Sequence, residues 1–208
     1  MPPPALKPST RRHASSGRFE VVVVGVSAGG VDLLLEVLPG LPADFPVPIV
    51  VCLHASSGTT AELAAMLDEQ VPIRVTEAAD KEPFAAGHVY LAPGGYHLLL
   101  ERDGAFSLSV DEPVRFARPS VDVLFDSAAH AYRQRVLAVV LSGANDDGAR
   151  GLVRIKAAGG TVVVQDPASA LAADMPRAAL AAVAPDYCVE PARLSGLLQR
   201  LCMRGSGS

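Results

Sequence analysis

From Phe19 onward, short runs of consecutive β-branched residues alternate with longer stretches in which apolar positions recur at helical spacing. FEVVVVG, VPIVVCL, VLAVVLSG and TVVVQ are near-continuous apolar runs of strand length, the pattern of strands covered on both faces in a parallel sheet. In GGVDLLLEVLPG, Val31, Leu34, Val37 and Leu38 share one helical face, and Pro39-Gly40 stops the helix. TTAELAAMLDEQ reads as a helix opened by a Thr59/Glu62 capping box, and IRVTE as a short strand after it. The segment GHVYLAPGGYHLLLERDGAFSLSV differs: its strand-like runs are parted by Pro-Gly-Gly and Arg-Asp-Gly, which predicts an antiparallel hairpin or meander at a sheet edge. A helix capped by Ser120 follows in RPSVDVLFDSAAHAYR. After VLAVVLSG come a helix ending at Gly159-Gly160, TVVVQ, a helix MPRAALAAV capped by Asp174, a strand near Tyr187 to Val189, and a helix from Pro191 to Cys202. The expected fold is α/β: a doubly wound, mostly parallel sheet with helices on both faces and an antiparallel hairpin at one edge.

Length changes this picture little, since 208 residues fit one domain, expected over 18–203. Residues 1–17 are rich in Pro, Ser and Arg and read as a solvated tail or linker stub, and 204–208 as an appended linker. Half the residues are hydrophobic, yet Trp is absent, so the core is built from Ala, Val and Leu. A net charge of -4 offers no general attraction to nucleic acid or anionic lipid, which would need a clustered basic face. No apolar run approaches the roughly 20 residues that span a bilayer, and the start lacks a secretory h-region. A cytoplasmic protein with no membrane insertion is expected. Cys52, Cys188 and Cys202 are odd in number and scattered, which indicates neither a disulfide framework nor a zinc site.

In a doubly wound sheet the ligand site lies beyond the carboxyl ends of the strands, so residues just after each buried run carry the chemistry. Ser27 follows the first run in GVSAGG, His54 the second, and Asp146 and Asp147 stand in SGANDDG after VLAVVL. The first matches G-x-S-x-G, where flanking glycines let a sharp strand-to-helix turn present a serine. The competing phosphate loop wants glycine at the position of Ser27 and an acid near that of His54. Imidazole can take the serine proton at neutral pH, and a carboxylate on the other ring nitrogen fixes the tautomer. Singly these residues read as caps and solvated groups; their coincidence at one sheet edge favours a site. On these grounds alone Asp146 and Asp147 are both candidates. Cys52, on the same strand face as His54, reads as a buried small hydrophobe, and His13, His88, His97 and His130 as structural or solvated. Arg115 and Arg118 admit a basic lip, but a solvated loop before the Ser120 cap is the preferred reading.

VVVVGVSAGG, CLH, GHVYLAPGGYHLLLE, RPSVDVLFDSAA and LSGANDDGARGL with its continuation through MPRAAL occur in one order. Together they closely resemble the catalytic domain of the chemotaxis protein-glutamate methylesterase (CheB) family, from about Phe19 to Cys202. The resemblance implies hydrolysis of methyl esters on glutamate side chains of cytoplasmic chemoreceptor helices, with a related glutamine deamidation, and no metal or cofactor. It places the nucleophile on Ser27, the base on His54 and the acid on Asp147, with Asp146 a neighbour. The order Ser, His, Asp separates the chain from α/β-hydrolases, whose order is Ser, acid, His. Oxyanion donors are expected in the backbone N–H groups of Ala28 and of Ala144 or Asn145. The sequence departs from the family at Ala28, where Thr is common, and at Ala144-Asn145, where Met-Gly is common. The family often carries a phosphorylated receiver domain; no acidic βα array precedes Phe19, which leaves as alternatives a stand-alone esterase, a receiver on a separate chain, or a domain excised from a longer protein. The alternatives are a catalytically weak scaffold or partner-binding module that keeps the fold, and a mononucleotide-binding protein.

Overall fold

A computed structural model describes residues 18–54 and 59–203, so the expectations for 1–17 and 204–208 lie outside the described residues. Seven strands form one parallel sheet: β1 (Val21–Val26), β2 (Ile49–Leu53), β3 (Arg74–Glu77), β4 (His88–Leu91), β7 (Val136–Val140), β8 (Thr161–Gln165) and β9 (Tyr187–Val189). Their order is β3-β4-β2-β1-β7-β8-β9. The chain builds outward from β1 through β2, then crosses back to start β7 on its other side, so the switch point lies between β1 and β7. Parallel pairing is continuous there, with Val24 opposite Val51 on one side and Val139 on the other.

Alternation along β1 sends Val22, Val24 and Val26 to one core and Val21 and Val23 to the other. The first core is closed by α1 (Gly30–Val37), α2 (Thr60–Asp68) and α6 (Pro191–Cys202) through Leu33, Leu34, Leu67, Leu194 and Leu198. The second is closed by α3 (Val121–Tyr132), α4 (Ala149–Ala157) and α5 (Asp174–Ala182) through Leu124, Phe125, Leu152, Ile155 and Met175. Burial on both faces is why these strands read as unbroken apolar runs.

The antiparallel pair expected from Arg-Asp-Gly forms between β5 (His97–Leu100) and β6 (Phe106–Ser109), but as a separate two-stranded sheet. Its Leu98, Leu100 and Phe106 belong to the second core. The run before Pro-Gly-Gly, His88 to Leu91, instead enters the parallel sheet between β2 and β3. Pro93-Gly94-Gly95 therefore links two sheets rather than turning a hairpin.

Three expected helix caps are not made. Thr59 precedes α2 with φ −110 and ψ −6 and forms no side-chain capping bond, because that backbone is not the extended one from which a cap side chain reaches inward. Asp174 is the first residue inside α5, with Ala173 at the cap, because the Met175 amide donates to Gly143 O (3.0 Å) and draws the chain into the helix earlier. Ser120 stands at the cap of α3 without capping it, since its hydroxyl is used elsewhere.

Candidate active site

The turn after β1 presents Ser27. Its amide donates to Ser142 O (2.9 Å) beyond β7, and the Gly30 amide closes the turn onto Ser27 O (2.9 Å). Gly29 then caps α1 at φ 74, a left-handed backbone in which a Cβ is strained. Gly143 lets the β7 loop press against Ser27: a Cβ there would stand 3.0 Å from Ser27 Cβ and 1.9 Å from Met175 Sδ. Ala144 follows directly, so the loop named for an oxyanion donor lies beside the serine.

His54 is positioned from the neighbouring strand, where its amide donates to Val26 O (3.3 Å), one residue before Ser27. Both side chains line one cleft of about 550 Å³, with Asp32, Leu53, Thr59 and Leu63 among its other walls. The imidazole is turned so that Nε2 lies 2.9 Å from Asp147 Oδ2. An ionised carboxylate only accepts, so Nε2 carries the hydrogen and Nδ1 is left with its lone pair. Asn145 lies on that second nitrogen: its Oδ1 accepts from the Asp147 amide (3.0 Å), which turns Nδ2 toward His54 Nδ1 at 3.4 Å.

The carboxylate of Asp147 is held by the start of α3. Oδ2 also accepts from the Val121 amide (2.7 Å), and Oδ1 accepts from the Asp122 amide (2.9 Å) and the Ser120 hydroxyl (2.9 Å). Burial by itself would raise this carboxyl; the bonds from His54, the two amides and Ser120 overcome burial and hold it below the usual carboxylate range. Asp122 returns the arrangement, its Oδ1 accepting from the Gly148 (3.1 Å) and Gly151 (2.7 Å) amides at the start of α4. Two helix N-termini thus face each other, α3 neutralised by Asp147 from just before α4 and α4 by Asp122 from the first turn of α3. Among the described residues, Asp122 Oδ2 makes no hydrogen bond and is paired with Arg150 Nε at 3.5 Å. Burial therefore dominates, with the Asp147 charge adding to it, and raises the Asp122 carboxyl.

Of the two acids in Asn-Asp-Asp-Gly, the inner one meets the imidazole. Asp146 points out to an ion pair with Arg115, and Arg118 Nη1 is spent on the loop carbonyls of Val110 (2.8 Å) and Asp111 (3.0 Å). Cys52 is fully buried, and burial, then the Asp147 charge, pushes its thiol up, which leaves it inert as a nucleophile. His88 and His97 bond the carbonyls of Ala86 and Glu112 (3.1 Å each), and His130 meets Arg102 (2.9 Å). Sequence reasoning missed Ser120 and Asp122 as parts of the site, and named Asn145 for its backbone N–H rather than its side chain. The signal for the first two, polar residues at a helix start, is the same one that marks an ordinary cap.

An open parallel sheet with a hydroxyl, an imidazole and a carboxylate gathered at the carboxyl ends of β1, β2 and β7 defines a doubly wound α/β protein with a hydrolase-like site. The chain belongs to the CheB methylesterase family, whose model matches residues 22–198. It is 44% identical over 183 residues to a putative protein-glutamate methylesterase/protein-glutamine glutaminase of Leptospira interrogans, covering 88% of this chain and 95% of that protein. It is 43% identical to the protein-glutamate methylesterase/protein-glutamine glutaminase of Bordetella bronchiseptica, covering 95% of this chain but 58% of that longer protein. The Thermotoga maritima CheB methylesterase catalytic domain superposes with a TM-score of 0.85 at 36% identity, covering 88% of this chain and 98% of the other. Among the described residues, no helix is long and apolar enough to cross a membrane.

Proposed function

We propose that this chain is a cytoplasmic serine hydrolase that removes methyl esters from glutamate side chains of chemoreceptor helices, and by the same route deamidates particular receptor glutamines. Ser27 is the nucleophile, His54 the base and Asp147 the orienting acid. The observation that carries this reading is the 2.9 Å contact between Asp147 Oδ2 and Nε2 of His54, the imidazole that lines one cleft with Ser27.

Asn145 Nδ2 yields His54 Nδ1 to the serine. Ser27 Oγ attacks the ester carbonyl while His54 Nδ1 takes its proton; the carbonyl π pair moves to oxygen, and the backbone N–H groups of Ala28 and Ala144 receive the oxyanion. Asp147 stabilises the imidazolium. Collapse breaks the C–O bond to methoxide, to which His54 returns the proton, so methanol leaves and Ser27 carries the glutamyl acyl group. Water, deprotonated by His54, attacks this ester; collapse expels Ser27 Oγ, which regains the proton and frees the glutamate. Deamidation differs only in that ammonia is the first leaving group.

Methanol release from a methylated receptor cytoplasmic fragment tests the reading. Turnover should vanish in Ser27→Ala and His54→Ala while both variants remain folded. A wild type without turnover would leave a scaffold that keeps the fold, and turnover retained in Ser27→Ala would exclude the triad.

A further inference from the structure

The three most exposed large hydrophobic side chains among the described residues are Phe116 at 103%, Leu171 at 79% and Val110 at 70%, and no other exceeds 44%. Single exposed hydrophobes are ordinary on a protein surface. These three, however, stand in two loops, one packed on the turn after Ser27 and the other paired to the residue before Asp147.

Leu171 belongs to the serine end. A Cβ on Gly29 would stand 2.9 Å from Leu171 Cδ2, and the next residue, Ala172, is stitched to the segment beneath Ser27. There the Ala172 amide donates to Ser142 Oγ (2.9 Å), and Ala172 O accepts from the Gly143 amide (2.9 Å). Phe116 belongs to the acid end. Val114 and Ala117 exchange backbone hydrogen bonds (3.1 and 2.9 Å) across a two-residue turn of Arg115 and Phe116, and Arg115 pairs with Asp146, the residue before Asp147. Val110 is tied into the same loop through its carbonyl and Arg118.

The Phe116 turn carries a further cost. Arg115 and Phe116 sit at φ 50 and 65, where a turn of this kind ordinarily takes Asn-Gly, and bulky residues are held there against strain. A fully exposed aromatic ring on a strained turn, fastened by an ion pair to the loop of the triad acid, has no packing role in the fold. Strain of this kind gathers at ligand clamps.

We propose that Phe116 and Leu171, with Val110 beside the former, are the points at which this chain docks the helical protein segment that presents the ester. The proposal rests on the esterase reading above. Neither residue lines the catalytic cleft, so a small ester seated there has no need of them. Only a substrate that continues past the cleft in both directions reaches both ends. A helix does so, with apolar side chains three, four or seven residues from the modified glutamate on the same face.

The test compares kcat/KM on a methylated receptor cytoplasmic fragment with kcat/KM on p-nitrophenyl acetate, for wild type, Phe116→Ser, Leu171→Ser and the double variant. Each single variant should lose about tenfold on the receptor, mainly through KM, and the double variant about a hundredfold, with a loss at least several-fold smaller on the aryl ester. Equal losses on the two substrates, or none on the receptor, overturn the docking role while leaving the esterase intact. A wild type that cleaves the aryl ester through Ser27 but neither binds nor demethylates the receptor overturns the substrate and the docking role together. Self-association in sedimentation that Phe116→Ser disperses, with receptor kinetics unchanged, assigns the surface to a second copy and also overturns the proposal.

Discussion

Replacing Asp147 by asparagine changes one oxygen to a nitrogen yet should be costly in two separate ways. The carboxylate accepts four hydrogen bonds, two on each oxygen. If the amide nitrogen takes the Oδ2 place, it faces both the Val121 N–H and the His54 N–H, so the less damaging choice is the Oδ1 place. There it faces the Asp122 N–H, while the Ser120 hydroxyl can rotate to accept. One buried backbone donor then goes unpaired, at about 1–3 kcal/mol. The lost charge at the start of α3 adds about 0.3–2 kcal/mol. Asp147→Asn should therefore destabilise the fold by about 1–5 kcal/mol, or about 3–20 °C in Tm at about 2–4 °C per kcal/mol for a domain of this size. The same variant should lose about 10⁴ in kcat, as when the acid of a serine protease triad is made an amide. Asp146→Asn is the control: an exposed ion pair to Arg115 is worth about 1 kcal/mol at most, and kcat should stay within a few-fold. Thermal melts and methyl-ester hydrolysis on the three proteins decide the matter. An Asp147→Asn protein with wild-type Tm would refute the clasp between the two helices, and a larger kinetic loss in Asp146→Asn would refute the assignment of the acid.

The lowered Asp147 carboxyl gives stability that is present above the unfolded value of about 3.9 and is lost as pH falls through the lower folded value. Acid unfolding should accordingly be shallower in Asp147→Asn, measurable by denaturant melts between about pH 2 and 5. Asp122 has the opposite sign, since its raised carboxyl penalises the folded state above the unfolded value. Asp122→Asn can keep Oδ1 on the Gly148 and Gly151 amides and should lie within about 1 kcal/mol of wild type, whereas Asp122→Ala orphans both donors at about 2–6 kcal/mol. Urea midpoints at pH 7 separate the two. Asn145→Ala should lower kcat less than tenfold, because water can replace both of its bonds at this half-buried position. A hundredfold loss would make the amide part of the reaction.

The doubly wound fold was legible because its central strands are buried on both faces and so wrote themselves as β1, β2, β7 and β8 in unbroken Val-rich runs. The rim rule for such sheets then pointed at Ser27 and His54 without any knowledge of contacts. His88 to Leu91 reads as part of the hairpin region because Pro-Gly-Gly looks the same whether it turns a hairpin or links two sheets, and long-range pairing decides between them. The choice between Asp146 and Asp147 was open to residue spacing alone for a related reason. It depends on which carboxylate faces the start of α3, a meeting of segments 25 to 27 residues apart. Ser120 illustrates the same limit: a serine before a helix signals a cap, and only the packed structure sends its hydroxyl to a carboxylate instead.

The central claim is that Ser27 is a nucleophile activated by His54. Incubation with a fluorophosphonate and peptide mass spectrometry read this directly, in wild type and in His54→Ala. The account predicts one adduct, on Ser27, whose formation slows at least a hundredfold in the variant while its melting curve stays cooperative. Labelling elsewhere, or equal labelling of Ser27 in both proteins, would contradict it.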